Sequence, residues 1–190
     1  MFYTIFLILF ACFSVLMLLI IISAFLGFLI TKVPFVTTRA NDIRFIASKL
    51  KMTPADIVYD LGSGNGKVCF LIHKLTGAQC VGFELTLWTY VWSKIKLFIN
   101  SSFTFFSQST GVKDRGVKFY NKNFLKVDWH NANYLYGYLF PFLMSKVEEK
   151  FLAECKPGSV AIIRDFPFPN LKYAEKYYLP HNHEIYIYRK

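Results

Sequence analysis

The spacing of apolar residues divides the chain into two unlike parts. From Met1 to Thr31 there is no charged side chain. About 28 apolar residues, at ~1.5 Å rise each, exceed the ~30 Å hydrocarbon core of a bilayer, so the segment can span it with some tilt. A cleaved signal peptide would carry positive charge ahead of a shorter apolar stretch. Nothing basic precedes Phe2, and the run is too long. The expectation is a retained transmembrane helix over 1–31 and one domain over 32–190. Lys32, Arg39, Arg44, Lys49 and Lys51 all follow the apolar run, so the positive-inside rule puts that domain on the cytoplasmic face.

Beyond Pro34, which resists helix continuation, the period shortens. Asn41 is read as a cap for a helix carrying Ile43, Ile46, Ala47 and Leu50 at helical spacing. Buried strands are predicted at Ile57–Leu61, Gln79–Glu84, Val117–Tyr120, Tyr134–Phe140 and Val160–Arg164. Helices are predicted at Lys67–Leu75, closed by Gly77, at Leu87–Asn100, and at Leu143–Cys155, closed by Lys156-Pro-Gly158. Lys176–Leu179 and Glu184–Tyr188 alternate around Pro180–His183 and read as an antiparallel pair at the sheet edge. Strand alternating with helix defines an α/β, Rossmann-like doubly wound and mostly parallel sheet of seven strands.

The net charge of +10 first suggests nucleic acid. The cations are scattered, however, without an arginine-rich run or a nucleic-acid motif, and apposition to anionic lipid is the simpler reading. Cys12, Cys69, Cys80 and Cys155 lack paired metal-site spacing and read as reduced thiols. His73 reads as packing or surface, and His130, His181 and His183 lack metal-like company, so no metal is expected.

The chemistry concentrates at Asp60-Leu-Gly-Ser-Gly-Asn-Gly66, between a predicted strand and helix. Glycine permits close backbone approach, and a helix N-terminus offers free N–H groups. A phosphate-binding loop would need glycine at Leu61 and Ser or Thr at Val68; a dinucleotide fingerprint would need glycine at Lys67. The remaining pattern, Asp60-x-Gly62-x-Gly64-x-Gly66, resembles the first motif of class I S-adenosylmethionine-dependent methyltransferases. That resemblance implies S-adenosylmethionine as cofactor, with Asp60 orienting its amino-acid moiety and Gly62, Ser63, Gly64 and Gly66 admitting it. Glu84, ending the second strand, is suited to accept both ribose hydroxyls.

The likeness continues through Val33-Pro-Phe-Val-Thr-Thr38, Gly82-Phe-Glu-Leu85, Asn121-Lys-Asn-Phe124, Tyr138-Leu-Phe-Pro141, Leu152–Gly158 and Asp165-Phe-Pro167. Together these are similar to the single-span lysine methyltransferases that modify the adenine nucleotide translocase and the ATP synthase c-subunit, and to their bacterial relatives. The resemblance implies methyl transfer to lysine of a membrane or membrane-associated protein, in a bacterial inner membrane or, in a eukaryote, the mitochondrial one. It also implies that the segment of Pro34 and Thr37 folds over the cofactor, and that Asn123 and Phe124 lie near adenine. The family's usual Asp is Asn at 123, whose carbonyl oxygen still accepts from an amino group. Ser102–Arg115 departs from the family pattern.

A lysine acceptor must be neutral, and an apolar cleft disfavours its cation. Tyr138, Phe140 and Pro141 are placed either to form that cleft or to pack the core. Asp165 either orients the ammonium or takes its proton, or else caps the following turn. Trp88 and Trp92 read as core or membrane-facing. Two other readings stay open: methylation of a lipid or small molecule, and a non-catalytic S-adenosylmethionine-binding membrane protein.

Overall fold

The computed structural model describes residues 2–31, 37–106 and 116–190. Its helices are α1 (Phe2–Thr31), α2 (Ala40–Lys49), α3 (Lys67–Thr76), α4 (Leu87–Phe106) and α5 (Pro141–Glu154). Its strands are β1 (Ile57–Leu61), β2 (Gln79–Phe83), β3 (Val117–Tyr120), β4 (Tyr134–Gly137), β5 (Val160–Arg164), β6 (Glu175–Leu179) and β7 (His183–Arg189). They form one seven-stranded sheet in the order β3-β2-β1-β4-β5-β7-β6. The first five strands of that order run parallel, and β7 is antiparallel to both β5 and β6. The expected mixed α/β sheet is therefore present. The C-terminal pair folds back, however, so that β7 is inserted against β5 and β6 forms the edge. β1 leads outward to β2 on one side while β4 takes the other, and this reversal opens a crevice at the strands' C-terminal ends.

Strand alternation sorts the core onto two faces. Val58, Cys80, Tyr136, Ile162, Ile185 and Ile187 point to one face, where Ile43 and Ile46 of α2 and Val68, Cys69 and Ile72 of α3 cover them. Leu61, Phe83, Leu135, Ile163 and Tyr188 point to the other, against Met144, Val147 and Phe151 of α5. All five residues of β5 are buried, which is why Val160–Arg164 reads as an unbroken apolar run until its arginine. Arg164 is 1% exposed. Its Nη1 stands 2.8 Å from Asp42 Oδ2 on α2, an ion pair whose alignment is not that of a hydrogen bond.

Several boundaries differ from the sequence reading. Arg39, not Asn41, occupies the N-cap of α2, while Asn41 Oδ1 accepts from Arg44. Asp42 sits in the first turn, where a carboxylate favours the helix N-terminus. β4 stops at Gly137 rather than Phe140, because Pro141, preset at helical φ, starts α5 two residues before Leu143. α4 runs six residues past Asn100, to Phe106. Pro34 and residues 107–115 of the divergent stretch lie outside the described residues.

Candidate functional site

The loop after β1 is shaped by three glycines in the left-handed region: Gly62 at φ 87°, Gly64 at 52° and Gly66 at 78°. L side chains rarely adopt that conformation. Gly62 and Ser63 both donate their backbone N–H to Phe83 O, at 3.0 and 2.9 Å, which hangs the loop on the end of β2. A Cβ on Gly66 would also collide with the Phe119 ring. Gly82 has a different reason to be glycine: a Cβ there would stand 2.6 Å from Ser63 Cβ. The Ser63 hydroxyl is buried against the cavity with no hydrogen-bond partner among the described residues.

Asp60 points to the α2–α3 face beneath this loop, 2% exposed. Burial raises its carboxyl to about 7; a hydrogen bond donated by the Cys69 thiol (3.6 Å) opposes the rise and nearby Glu84 adds to it. Glu84 follows β2 and faces the loop, its Oε2 accepting from Gly64 N and its Oε1 from Thr86 N, each at 2.7 Å. The two carboxylates thus bracket the glycine turn from below and from the side. Each oxygen of Glu84 keeps a second lone pair for a further donor.

Beside Glu84, Asn121 Nδ2 donates to the carbonyls of Glu84 and Leu85, at 2.8 and 3.0 Å. Asn123 Oδ1 accepts from Leu125 N at 2.9 Å and caps a short 3-10 turn over Phe124–Lys126. Phe124 is largely buried, and its carbonyl takes the indole N–H of fully buried Trp129 at 2.9 Å. Trp129 therefore fixes the turn that presents Asn123 and Phe124, a role carried by no motif.

These groups open onto one cavity of about 750 Å³, within the size range of small-molecule and cofactor sites. It is lined by Asp60, Gly62, Ser63, Gly64, Glu84, Asn123 and Phe124 at one side. Thr37, Thr38, Tyr136, Tyr138, Leu139, Trp88, Trp92, Phe142 and Lys146 are among the residues that line the rest of it. Of the residues named from sequence, Gly66 supports the loop without lining the cavity, and Phe140 and Pro141 do not reach it. Phe140 stacks on Phe166 instead, 6.3 Å between ring centroids. Thr37 is exposed at the cavity's edge, whereas its neighbour Thr38 is buried, 2.7 Å from the Tyr136 hydroxyl.

Asp165 is also off the cavity wall. It adopts a left-handed φ of 64°, and its Oδ2 meets His183 Nδ1 at 2.9 Å while Oδ1 accepts from Glu184 N at 2.9 Å. Its carboxylate acts on Tyr138, which lines the cavity and whose ring lies over the Arg164 guanidinium at 4.8 Å. Burial raises the Tyr138 phenol above its ordinary value, the Asp165 carboxylate adds to the rise and Arg164 opposes it. Thr38 belongs to the segment that the resemblance carried over the cofactor, whereas Tyr136, Lys146 and the tryptophan pair were not distinguishable from packing or surface residues in sequence. Their apolar or small neighbours gave no polar signal, and only the crevice brings them together.

A glycine-rich turn between β1 and α3, an acid closing β2 and this strand order define a class I S-adenosylmethionine-dependent methyltransferase fold and site. The chain belongs to the family described as the ANTKMT methyltransferase domain, whose model matches residues 60–175. It is similar to the adenine nucleotide translocase lysine N-methyltransferase of Mus musculus, 25% identical over 73% of this chain and 55% of that protein. It is likewise similar to the ATP synthase c-subunit lysine N-methyltransferase of Rattus norvegicus, 26% identical over 72% of this chain and 57% of that protein. The chain spans little more than half the length of these relatives. Among solved structures, an RNA methyltransferase from Salinibacter ruber bound to S-adenosyl-L-homocysteine shares the fold, with a TM-score of 0.69 and 21% identity over 81% of this chain and 93% of that one.

Proposed function

We propose that this chain is a membrane-anchored methyltransferase that uses S-adenosylmethionine to methylate lysine side chains of a membrane or membrane-associated protein. The carrying observation is the glycine cradle with two bracketing acids that opens into an aromatic-walled cavity. The residues fit the cofactor: Gly62 and Gly64 bring bare backbone to the cavity wall, Ser63 offers its buried hydroxyl, and Asp60 and Glu84 supply two carboxylates. Asp60 would hold the cationic amino-acid end, Glu84 the ribose hydroxyls, and Asn123 with Phe124 the adenine. Thr37 would close the edge, together with the segment of Pro34. When bound, the cofactor supplies the methyl group.

The chain's own residues must then present a neutral amine in line with it. Tyr138, Leu139, Phe142, Trp88 and Trp92 give that end of the cavity a mostly apolar wall, which disfavours an ammonium ion. Lys67 and Lys146 also line the cavity, and like charge pushes an incoming lysine further toward its neutral form. Tyr138, with Asp165 behind it, is placed to accept a hydrogen bond from the amine or pass its proton outward. The lysine-methyltransferase names of the two relatives support this acceptor class over lipid or a small molecule. The span Phe2–Ile22, with mean hydropathy 3.3 and none of it buried, supports the anchor, and the flanking cations support a cytoplasm-facing domain.

Incubating the full chain and tritiated S-adenosylmethionine with membranes should place label in protein, recovered as methyl-lysine on hydrolysis. Label confined to the lipid fraction, or none at all, overturns the lysine assignment.

A further inference from the structure

At about 3.6 residues per turn, α4 has two unlike sides. Tyr90, Ser93 and Leu97 turn toward the domain, with Ser93 fully buried and Tyr90 and Leu97 packed on the core. The opposite side carries Leu87, Val91, Ile95 and Ile99, all exposed, with Leu87 at 57% and Ile99 at 47%. Outside α1, more of the exposed large apolar side chains of the described residues lie on α4 than on any other element. Lys94 and Lys96 fall on the two margins of the stripe. Lys96 stretches along the surface to Asn65 O at 3.5 Å, with its ammonium 6.0 Å from the Trp92 ring. An apolar stripe edged by lysines with a tryptophan at the seam is the pattern of a helix lying in a lipid interface.

Two observations say what covers the stripe. First, α4 touches α1, the uncharged helix long enough to cross a bilayer, so the helix that carries the stripe adjoins an apolar surface that already demands lipid. Second, α4 also walls the cavity, through Trp88, Thr89 and Trp92. Leu85, Trp92 and Phe142 line the cavity and are also exposed, at 41%, 43% and 54%. The basic excess of the chain complements an anionic surface.

We propose that the outer face of α4 docks on an anionic lipid bilayer and seats the mouth of the cavity at the headgroup level. The acceptor amine is then one held at the bilayer surface by the protein that carries it, and a freely soluble lysine peptide is a poor substrate. This rests on the reading of α1 as a membrane span, and the experiment separates the two.

Full-length protein would be reconstituted in vesicles of phosphatidylcholine and phosphatidylglycerol with brominated acyl chains, and its tryptophan fluorescence compared with that in unbrominated vesicles. Trp88 and Trp92 should be quenched, and buried Trp129 should remain as background. In a Val91→Glu/Ile95→Glu variant the quenching should fall to that background while the protein still floats with the vesicles and binds S-adenosylmethionine by calorimetry. Protein that floats without quenching overturns the docking of α4 and leaves the span intact. Protein that does not float at all overturns the span and the docking with it. Unchanged quenching in the double variant, or a dimer through this face in place of quenching, assigns the stripe elsewhere and sinks the proposal.

Discussion

Asp60 carries the most distinctive electrostatics in the site. Its folded carboxyl is raised to about 7 from an ordinary 3.8 by burial, so between those values the folded chain holds a proton that the unfolded chain has lost. For an acid raised in this way, stability without cofactor falls as pH rises from about 4 to about 7. A cationic ligand reverses the preference, since it favours the ionised form. Binding S-adenosylmethionine near neutral pH should therefore release a proton, and affinity should weaken by up to about tenfold per pH unit below 7. Calorimetry in buffers of different ionisation enthalpy reads that proton directly. Asp60→Asn should bind weakly at every pH with no proton released; a pH-independent wild type would remove Asp60 from the cofactor.

Among the elements, α2 and β5 share, besides their apolar layer, one buried ion pair, Asp42 with Arg164. The partners lie far apart in sequence, on α2 and β5. Among the described residues, no second carboxylate stands at hydrogen-bond distance to rescue Arg164 if Asp42 is lost. Asp165, at 3.8 Å from its Nε, is already engaged by His183. Leaving one charge of a buried pair alone costs about 3–5 kcal/mol. Asp42→Ala should lower unfolding stability by that amount in urea titration, and it should also disturb Tyr138, whose ring lies on the Arg164 guanidinium. A loss below about 1 kcal/mol would mean the pair behaves as an exposed one.

For the molecule as a whole, α1 and the sheet domain have separate reasons to exist. Over Phe2–Ile22 α1 is apolar on all sides and exposed, and among the described residues it adds none to the domain's two apolar layers, which close on each other across the sheet. A chain lacking residues 2–31 should lose flotation with vesicles while its calorimetric affinity for S-adenosylmethionine stays unchanged. Loss of cofactor binding in a still-folded truncation would show that the helix shapes the cavity.

The uncharged run before Lys32, the alternation that makes five parallel strands, and the glycine turn with its two acids all depend on local spacing, which can be read directly along a chain. The end of β4 at Gly137 and the cap of α2 were less legible, because Pro141 and the buried role of Asp42 outweighed the apolar run and the capping preference of Asn41. Residue order alone was therefore enough for the turn of Asp60–Gly66, its acid at Glu84 and the apolar segment ahead of them. It was not enough to show that Trp129 holds Asn123 and Phe124 in place, that Asp165 stands behind Tyr138 rather than in the cavity, or that Trp88 and Trp92 join a wall. Those facts arise when residues far apart in the chain meet at the sheet's switch point, where side chains of ordinary packing types acquire a function from the space between them.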